Sequence, residues 1–235
     1  MRAAPVSAAP LLFAILVTSC AKAPPAVEPG VSLELARHRA ETISGIDYAL
    51  SLTIPAIPDG EIEGRVVIGF ELGDSSKPVQ LDFRESPDKI GSVTANGNES
   101  DYEFISEHLV IPAAELVNGR NEVRIGFTAG SSSLNRNPEY LYSLFVPDRA
   151  RTAFPLFDQP DLKATLQVDL TIPEGWTAMA NGPLLELIET GDGVLHRFAR
   201  SAPISSYVFG FVAGKFETVR RNVDGRQMTM LHRET

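Results

Sequence analysis

Ile62-Glu63-Gly64-Arg65-Val66-Val67-Ile68-Gly69-Phe70-Glu71-Leu72 is the stretch whose reading decides the fold. Ile62, Val66, Ile68, Phe70 and Leu72 are set against Glu61, Glu63, Arg65 and Glu71 with a period of two, the spacing of a strand with one apolar and one polar face. The alternation returns at Tyr48, Leu50, Leu52 and Ile54, and again at Val79, Leu81 and Phe83. It recurs at Val123, Ile125 and Phe127, and at Leu166, Val168, Leu170 and Ile172. Turn signals separate these runs: Pro58-Asp59-Gly60, Asn96-Gly97, Asn118-Gly119, Asn181-Gly182, Gly191-Asp192-Gly193 and Asp224-Gly225. Asn-Gly and Asp-Gly supply the positive φ that tight hairpins require. Only residues 32–43 carry a helical pattern, with Ser32 as N-cap and Gly45 beyond the end. The pattern predicts an all-β, mainly antiparallel sheet assembly preceded by one short helix, with Ser131 to Pro138 as an exposed loop. No internal repeat and no shift in composition divides residues 45–235.

The chain has 235 residues, 43% of them apolar, which is enough for a real core and describes neither a disordered chain nor a multi-span membrane protein. Its net charge of −9 argues against a nucleic-acid surface, which needs clustered Lys and Arg. A single cysteine, Cys20, excludes an intramolecular disulfide and a thiolate-rich metal site.

Residues 1–19 open with Arg2 and carry the short apolar run Leu11 to Val17, the layout of a secretory signal too short to span a bilayer. Val17-Thr18-Ser19-Cys20 resembles the bacterial lipobox, in which the cysteine thiol receives the lipid. Residues 20–30 are rich in proline and alanine and read as a lipidated tether; residues 31–235 read as the folded domain. Ala21 stands where an aspartate would resemble the inner-membrane retention signal, so the expected location is the cell envelope of a bacterium, at the outer membrane.

The four histidines, His38, His108, His196 and His232, are widely separated and form no His-Glu-x-x-His motif, so each is expected singly on a strand or turn. No phosphate-binding glycine loop and no Gly-x-Ser-x-Gly elbow is present. Asp158 and Asp161, near Asp148, Arg149 and Arg151, have two readings: a catalytic acid and base pair, or a turn in which Asp158 accepts backbone or arginine hydrogen bonds between Pro155 and Pro160. The turn is the expectation.

The segment Tyr140-Leu-Tyr-Ser-Leu-Phe-Val-Pro-Asp-Arg-Ala-Arg-Thr-Ala-Phe-Pro-Leu-Phe-Asp-Gln-Pro-Asp-Leu-Lys-Ala164 closely resembles a signature of the zinc aminopeptidases of the alanyl aminopeptidase (aminopeptidase N) family. There an Arg precedes Phe-Pro-Cys-Phe-Asp-Glu-Pro-x-x-Lys-Ala, within a non-catalytic N-terminal β-domain. Pro173-Glu174-Gly175-Trp176 to Asn181-Gly182 matches the family's next turn, and Pro203 to Phe216 resembles its Met-Ser-Thr-Tyr-Leu-x-Ala-Phe-x-x-Gly-x-Phe element. Arg151, Pro155, Asp158, Gln159, Pro160 and Lys163 are thereby read as a structural loop, with Leu156 replacing the usual Cys and Gln159 the usual Glu. The family places Gln or Glu on the strand before this loop to hold the substrate's amino group; those positions fall here on Leu144 and Val146. Neither can accept a hydrogen bond, so they would form either an apolar wall of the first subsite or part of the core.

The resemblance implies a saddle-like β-domain that covers the active site of a zinc-binding catalytic domain. That domain would carry Gly-x-Met-Glu-Asn and His-Glu-x-x-His, hold the zinc and release N-terminal amino acids from peptides. None of these motifs occurs in the 235 residues, so no catalytic residue and no metal ligand is expected on this chain. The implied partner is the catalytic domain, in cis if the frame continues or in trans if the two are encoded separately. The alternative is an autonomous lipoprotein that binds peptides or an envelope protein through the same scaffold.

Overall fold

The computed structural model describes residues 23–233. Cys20 and the signal segment lie outside the described residues. Helix α1 (Leu33–Thr42) starts where expected: Ser32 is extended, and its hydroxyl accepts from Leu35 N at 3.2 Å, satisfying one of the free N–H groups of the first turn.

The strands in chain order are β1 (Ile43–Thr53), β2 (Glu63–Leu72), β3 (Val79–Asp82), β4 (Ile90–Ala95), β5 (Asn98–Glu99), β6 (Glu103–Ile105), β7 (His108–Ile111), β8 (Gly119–Thr128), β9 (Leu134–Arg136) and β10 (Tyr140–Ser143). They continue as β11 (Thr165–Ile172), β12 (Thr177–Ala180), β13 (Leu184–Thr190), β14 (Gly193–Phe198), β15 (Phe211–Gly214), β16 (Glu217–Val223) and β17 (Arg226–His232). An eight-stranded sheet runs β13-β14-β11-β1-β2-β8-β4-β5. A four-stranded sheet runs β12-β15-β10-β9, a three-stranded sheet β3-β7-β6, and β16-β17 form a ribbon. Among the described residues every strand pairing is antiparallel except β1 with β11, so the all-β, mainly antiparallel expectation holds.

The register follows the alternation. Leu50 faces Val66 across β1 and β2, and Val66 faces Ile125 across β2 and β8, so one apolar face is built from three strands. The buried apolar residues from Ile43 to Ala213 join in one cluster drawn from the three larger sheets. Three hairpins turn on residues with positive φ: Asn96 (50°) with Gly97 (86°) and Asp224 (50°) with Gly225 (78°), residue types that tolerate it best, and Ser106 (48°) with Glu107 (69°) between β6 and β7.

Three expectations change. Residues 131–138 are not simply an exposed loop: Leu134–Arg136 is β9, paired with β10, and Ser133 and Leu134 are buried. The polar Ser133 is accommodated inside because Thr152 Oγ1 donates to its hydroxyl at 2.8 Å. Strand β3 is not half-exposed, since Gln80 and Asp82 on its polar face are buried as completely as Val79 and Leu81. Part of the segment read as a tether lies fixed on the domain: Pro25 is buried, and its carbonyl accepts from Gln80 Nε2 at 3.2 Å.

Candidate functional site

The site grows from the connection between β10 and β11, and its two halves behave in opposite ways. From Arg151 to Gln159 the chain is buried throughout, charged residues included. Arg151 N donates to Asp158 Oδ2 at 3.0 Å, closing the turn predicted for Asp158, and Ser206 Oγ donates to Asp158 Oδ1 at 2.6 Å. Burial pushes the Asp158 carboxyl above the ordinary carboxylate range, and these hydrogen bonds pull the other way. Asp158 N in turn donates to Asp82 Oδ2 at 2.7 Å, and Phe157 N to the Tyr48 hydroxyl at 3.1 Å. Asp161, Pro160 and Lys163 are exposed, while Pro155 is buried.

Beneath the loop sits a charge pair absent from the sequence reading. Arg39 of α1 grips Asp82 of β3 with both ends of its guanidinium, Nη1 to Oδ2 at 2.9 Å and Nη2 to Oδ1 at 2.6 Å. Nη2 also donates to Gln80 O at 2.7 Å, and the guanidinium lies 5.4 Å from the centre of the Phe157 ring. Arg39 is 1% exposed and Asp82 0%. His108 of β7, equally buried, brings Nδ1 to 2.9 Å from Asp82 Oδ1. Burial alone would raise the Asp82 pKa, but the charge of Arg39 and the bonds from His108 and Arg39 win and hold it near 2. The paired Asp82 is therefore the ionised hub of the loop, receiving Arg39 and the Asp158 backbone together.

Gln159 explains how one departure is absorbed. Its Nε2 donates to the Ala36 carbonyl of α1 at 3.0 Å. An ionised glutamate has no such donor, so the amide here ties the loop to the helix.

The residues before the loop face the other way. Phe145 is buried, stacked on Phe209 at 5.7 Å between centroids and set edge-on to Phe154 at 6.0 Å. With Phe145 taking the inward position, its neighbours are turned outward: Leu144 is 48% and Val146 53% exposed. The reading of Leu144 and Val146 as core is overturned. Tyr142, 41% exposed, precedes them with the same outward parity, and it pairs across the four-stranded sheet with Val212, which pairs with Met179. The result is a row of apolar side chains on the outer face of that sheet.

The two separated motifs of the sequence meet here. Residues 164 and 204 are bridged, Ser205 Oγ donates to Pro160 O at 2.6 Å, and β10 pairs with β15. Among the described residues no group of three or more His, Cys, Asp or Glu side chains could hold a metal ion, so a zinc ion finds no fitting donor set on this part of the chain.

Residues 46–208 match the model of the peptidase M1 N-terminal domain. The chain belongs to the M1 peptidase family. Its match is to the N-terminal domain of that family, which agrees with the absence of a catalytic motif from the sequence. Aminopeptidase N of Streptomyces lividans is 31% identical over 205 residues, covering 81% of this chain and 23% of that protein. Human glutamyl aminopeptidase is 33% identical over 86 residues, 36% of this chain and 9% of that one. The M1 domain thus spans less than a quarter of the length of these curated relatives. The crystal structure of an M1 zinc metallopeptidase from Deinococcus radiodurans shares the fold with a TM-score of 0.64 at 20% identity, covering 77% of this chain and 44% of that one.

The sequence missed Arg39, Asp82, His108 and Ser206. Asp82 was legible only as a polar position on an alternating strand, and its partners lie 43, 76 and 26 residues away, beyond the reach of any local spacing rule.

Proposed function

We propose that this chain is the N-terminal, non-catalytic domain of a lipid-anchored zinc aminopeptidase, covering the active site and forming an apolar wall of its first subsite with Leu144 and Val146. The observation that carries this reading is the outward presentation of Leu144 and Val146 by the anchored Phe145. Nothing in the local packing requires two large aliphatic side chains to stand in water there, and each would lose that cost against a substrate side chain or a catalytic domain. The family match and the aminopeptidase names of the relatives support the peptide substrate class. An apolar wall cannot bind the substrate's ammonium, so on this reading that task falls to groups other than Leu144 and Val146. Zinc and the general base also belong to the catalytic domain, where the metal would activate water.

The lipobox-like Val17 to Cys20 supports acylation of Cys20 and an outer-membrane location in a bacterial envelope. Incorporation of labelled palmitate that is lost in Cys20→Ala checks this part. Reading the transcript beyond the codon for Thr235 checks the rest: a frame continuing into Gly-x-Met-Glu-Asn and His-Glu-x-x-His supports the domain reading. A stop codon with no separately encoded catalytic partner favours the autonomous binding module.

A further inference from the structure

A cleft of about 850 Å³ lies beside β12, between walls of different character. Strand β12 ends the four-stranded sheet, and all four of its residues, Thr177 to Ala180, line the cleft. Side chains of a strand alternate between its faces, so an unbroken run of lining residues means that β12 meets the cleft edge-on. An antiparallel ladder bonds alternate residues to one neighbour, and among the described residues β12 pairs with β15 alone. Its remaining N–H and C=O groups therefore open into the cleft, as on any free sheet edge. The second wall is apolar, with Leu184 and Leu187 of β13 beside Phe198 of β14. The third is the β16–β17 ribbon, which turns in its polar face through Arg220, Gln227 and Thr229; Met228 and Met230 alternate to the other face.

The cleft carries the opposite charge to the chain around it. The protein has 30 Asp and Glu residues and a net charge of −9, yet none of the residues lining the cleft is Asp or Glu. Among the described residues the Arg220 side chain has no hydrogen-bond or ion-pair partner, and a guanidinium keeps its charge. His196 also lines the cleft, and burial holds its imidazole below the ordinary range, so the lasting positive charge is that of Arg220. We propose that the cleft binds an extended acidic peptide, supplied by another molecule, as an added strand on β12. The peptide backbone pairs with the free edge, its apolar side chains turn to Leu187 and Phe198, and the carboxylates between them turn to Arg220. Edge pairing is blind to sequence, so selectivity comes from the two side walls. Strand β15 separates β12 from β10, so this site is distinct from the Leu144 and Val146 wall and does not depend on that reading.

Trp176, the sole tryptophan of the chain, lines the cleft and reports its occupancy. The test titrates the full chain with the peptide acetyl-Leu-Glu-Val-Glu-Leu-amide and follows tryptophan emission. A saturable change is expected. The same peptide with Lys for both Glu should bind about tenfold more weakly, and so should the acidic peptide to Arg220→Gln, because each change removes the charge-assisted contact. Two further peptides are N-methylated on alternate backbone nitrogens, one on each set. Only one set faces β12, so one of them should lose binding and the other keep it. No saturable change in the millimolar range, or equal affinity for the lysine peptide, overturns the proposal. Undiminished binding of both N-methylated peptides, matched by dodecyl phosphate, would make the cleft a site for anionic amphiphiles and overturn it as well.

Discussion

The connection from Tyr140 to Ala164 contains two regions with inverted burial. On one side Arg151, Asp158 and Gln159 are almost fully buried; on the other Tyr142, Leu144 and Val146 stand in solvent. In a packed domain the opposite distribution is expected, since charged groups lose hydration on burial and aliphatic ones gain by it. The polar half is stable inside because its groups are paired: Asp158 with Ser206 and the Arg151 backbone, and the Asp158 backbone with an Asp82 already neutralised by Arg39. Among the described residues the apolar half is held by less: Tyr142 stacks on Tyr140 at 6.2 Å between ring centroids, and Leu144 and Val146 stay half-exposed. Buried polarity here holds a loop in place, and the exposed apolarity is the part that the proposed function assigns to contact with another molecule.

The contrast can be broken at either end. Asp82→Ala leaves the 1%-exposed Arg39 guanidinium without a counter-charge and frees the Asp158 backbone, and should cost about 3–5 kcal/mol of stability. Urea unfolding that finds it within 1 kcal/mol of wild type would show the node to be dispensable.

Acid should act through the same group. The folded pKa of Asp82, near 2, lies below its ordinary 3.8, so its contribution is fully present above 3.8 and is lost as pH falls toward 2. The loss amounts to about 2 kcal/mol. Asp158, raised by burial, has the opposite sign and offsets part of it, since its folded form prefers the proton. Thermal unfolding followed from pH 5 to pH 2 should show the decline, and Asp82→Asn should flatten it.

Gln159→Glu restores the usual residue of the aminopeptidase signature. It should nonetheless lower stability by about 1 kcal/mol, because the donor to Ala36 O is replaced by an acceptor. A rise in melting temperature would mean that the new carboxylate finds Arg151 instead. At the exposed end, Leu144→Ser should change stability by less than about 0.5 kcal/mol. Its effect should appear in the complete enzyme, as a raised KM for substrates with large apolar N-terminal residues. A large stability loss with unchanged selectivity would return Leu144 to a purely structural role.

Much of this was legible in the chain itself. The alternation at Ile62 to Leu72 and its repeats found the four contiguous strands β11-β1-β2-β8 of the eight-stranded sheet, because these bury one face and period two survives in the letters. Ser32 marked the helix start because its cap is a three-residue local contact. The turn at Asp158 was readable for the same reason, its partner Arg151 being seven residues away. Strand β9 was hidden because Ser131 to Ser133 looks polar, and only the distant Thr152 hydroxyl makes burying Ser133 acceptable. The Arg39–Asp82–His108 node was invisible for a stronger reason: each member looks like solvated surface until the fold brings it to the others. That residues 25–30 lie against the domain was not legible, since prolines suit a free tether as well as a docked one and only the distant Gln80 and His108 decide between them.

On the proposed function, this M1 domain shapes a site whose chemistry lies elsewhere. The direct measurement is hydrolysis of aminoacyl nitroanilides by the purified 235-residue chain in the presence of zinc. The prediction is no turnover above that of zinc alone and no stoichiometric zinc on the protein; chelator-sensitive turnover with one bound zinc per chain would contradict it.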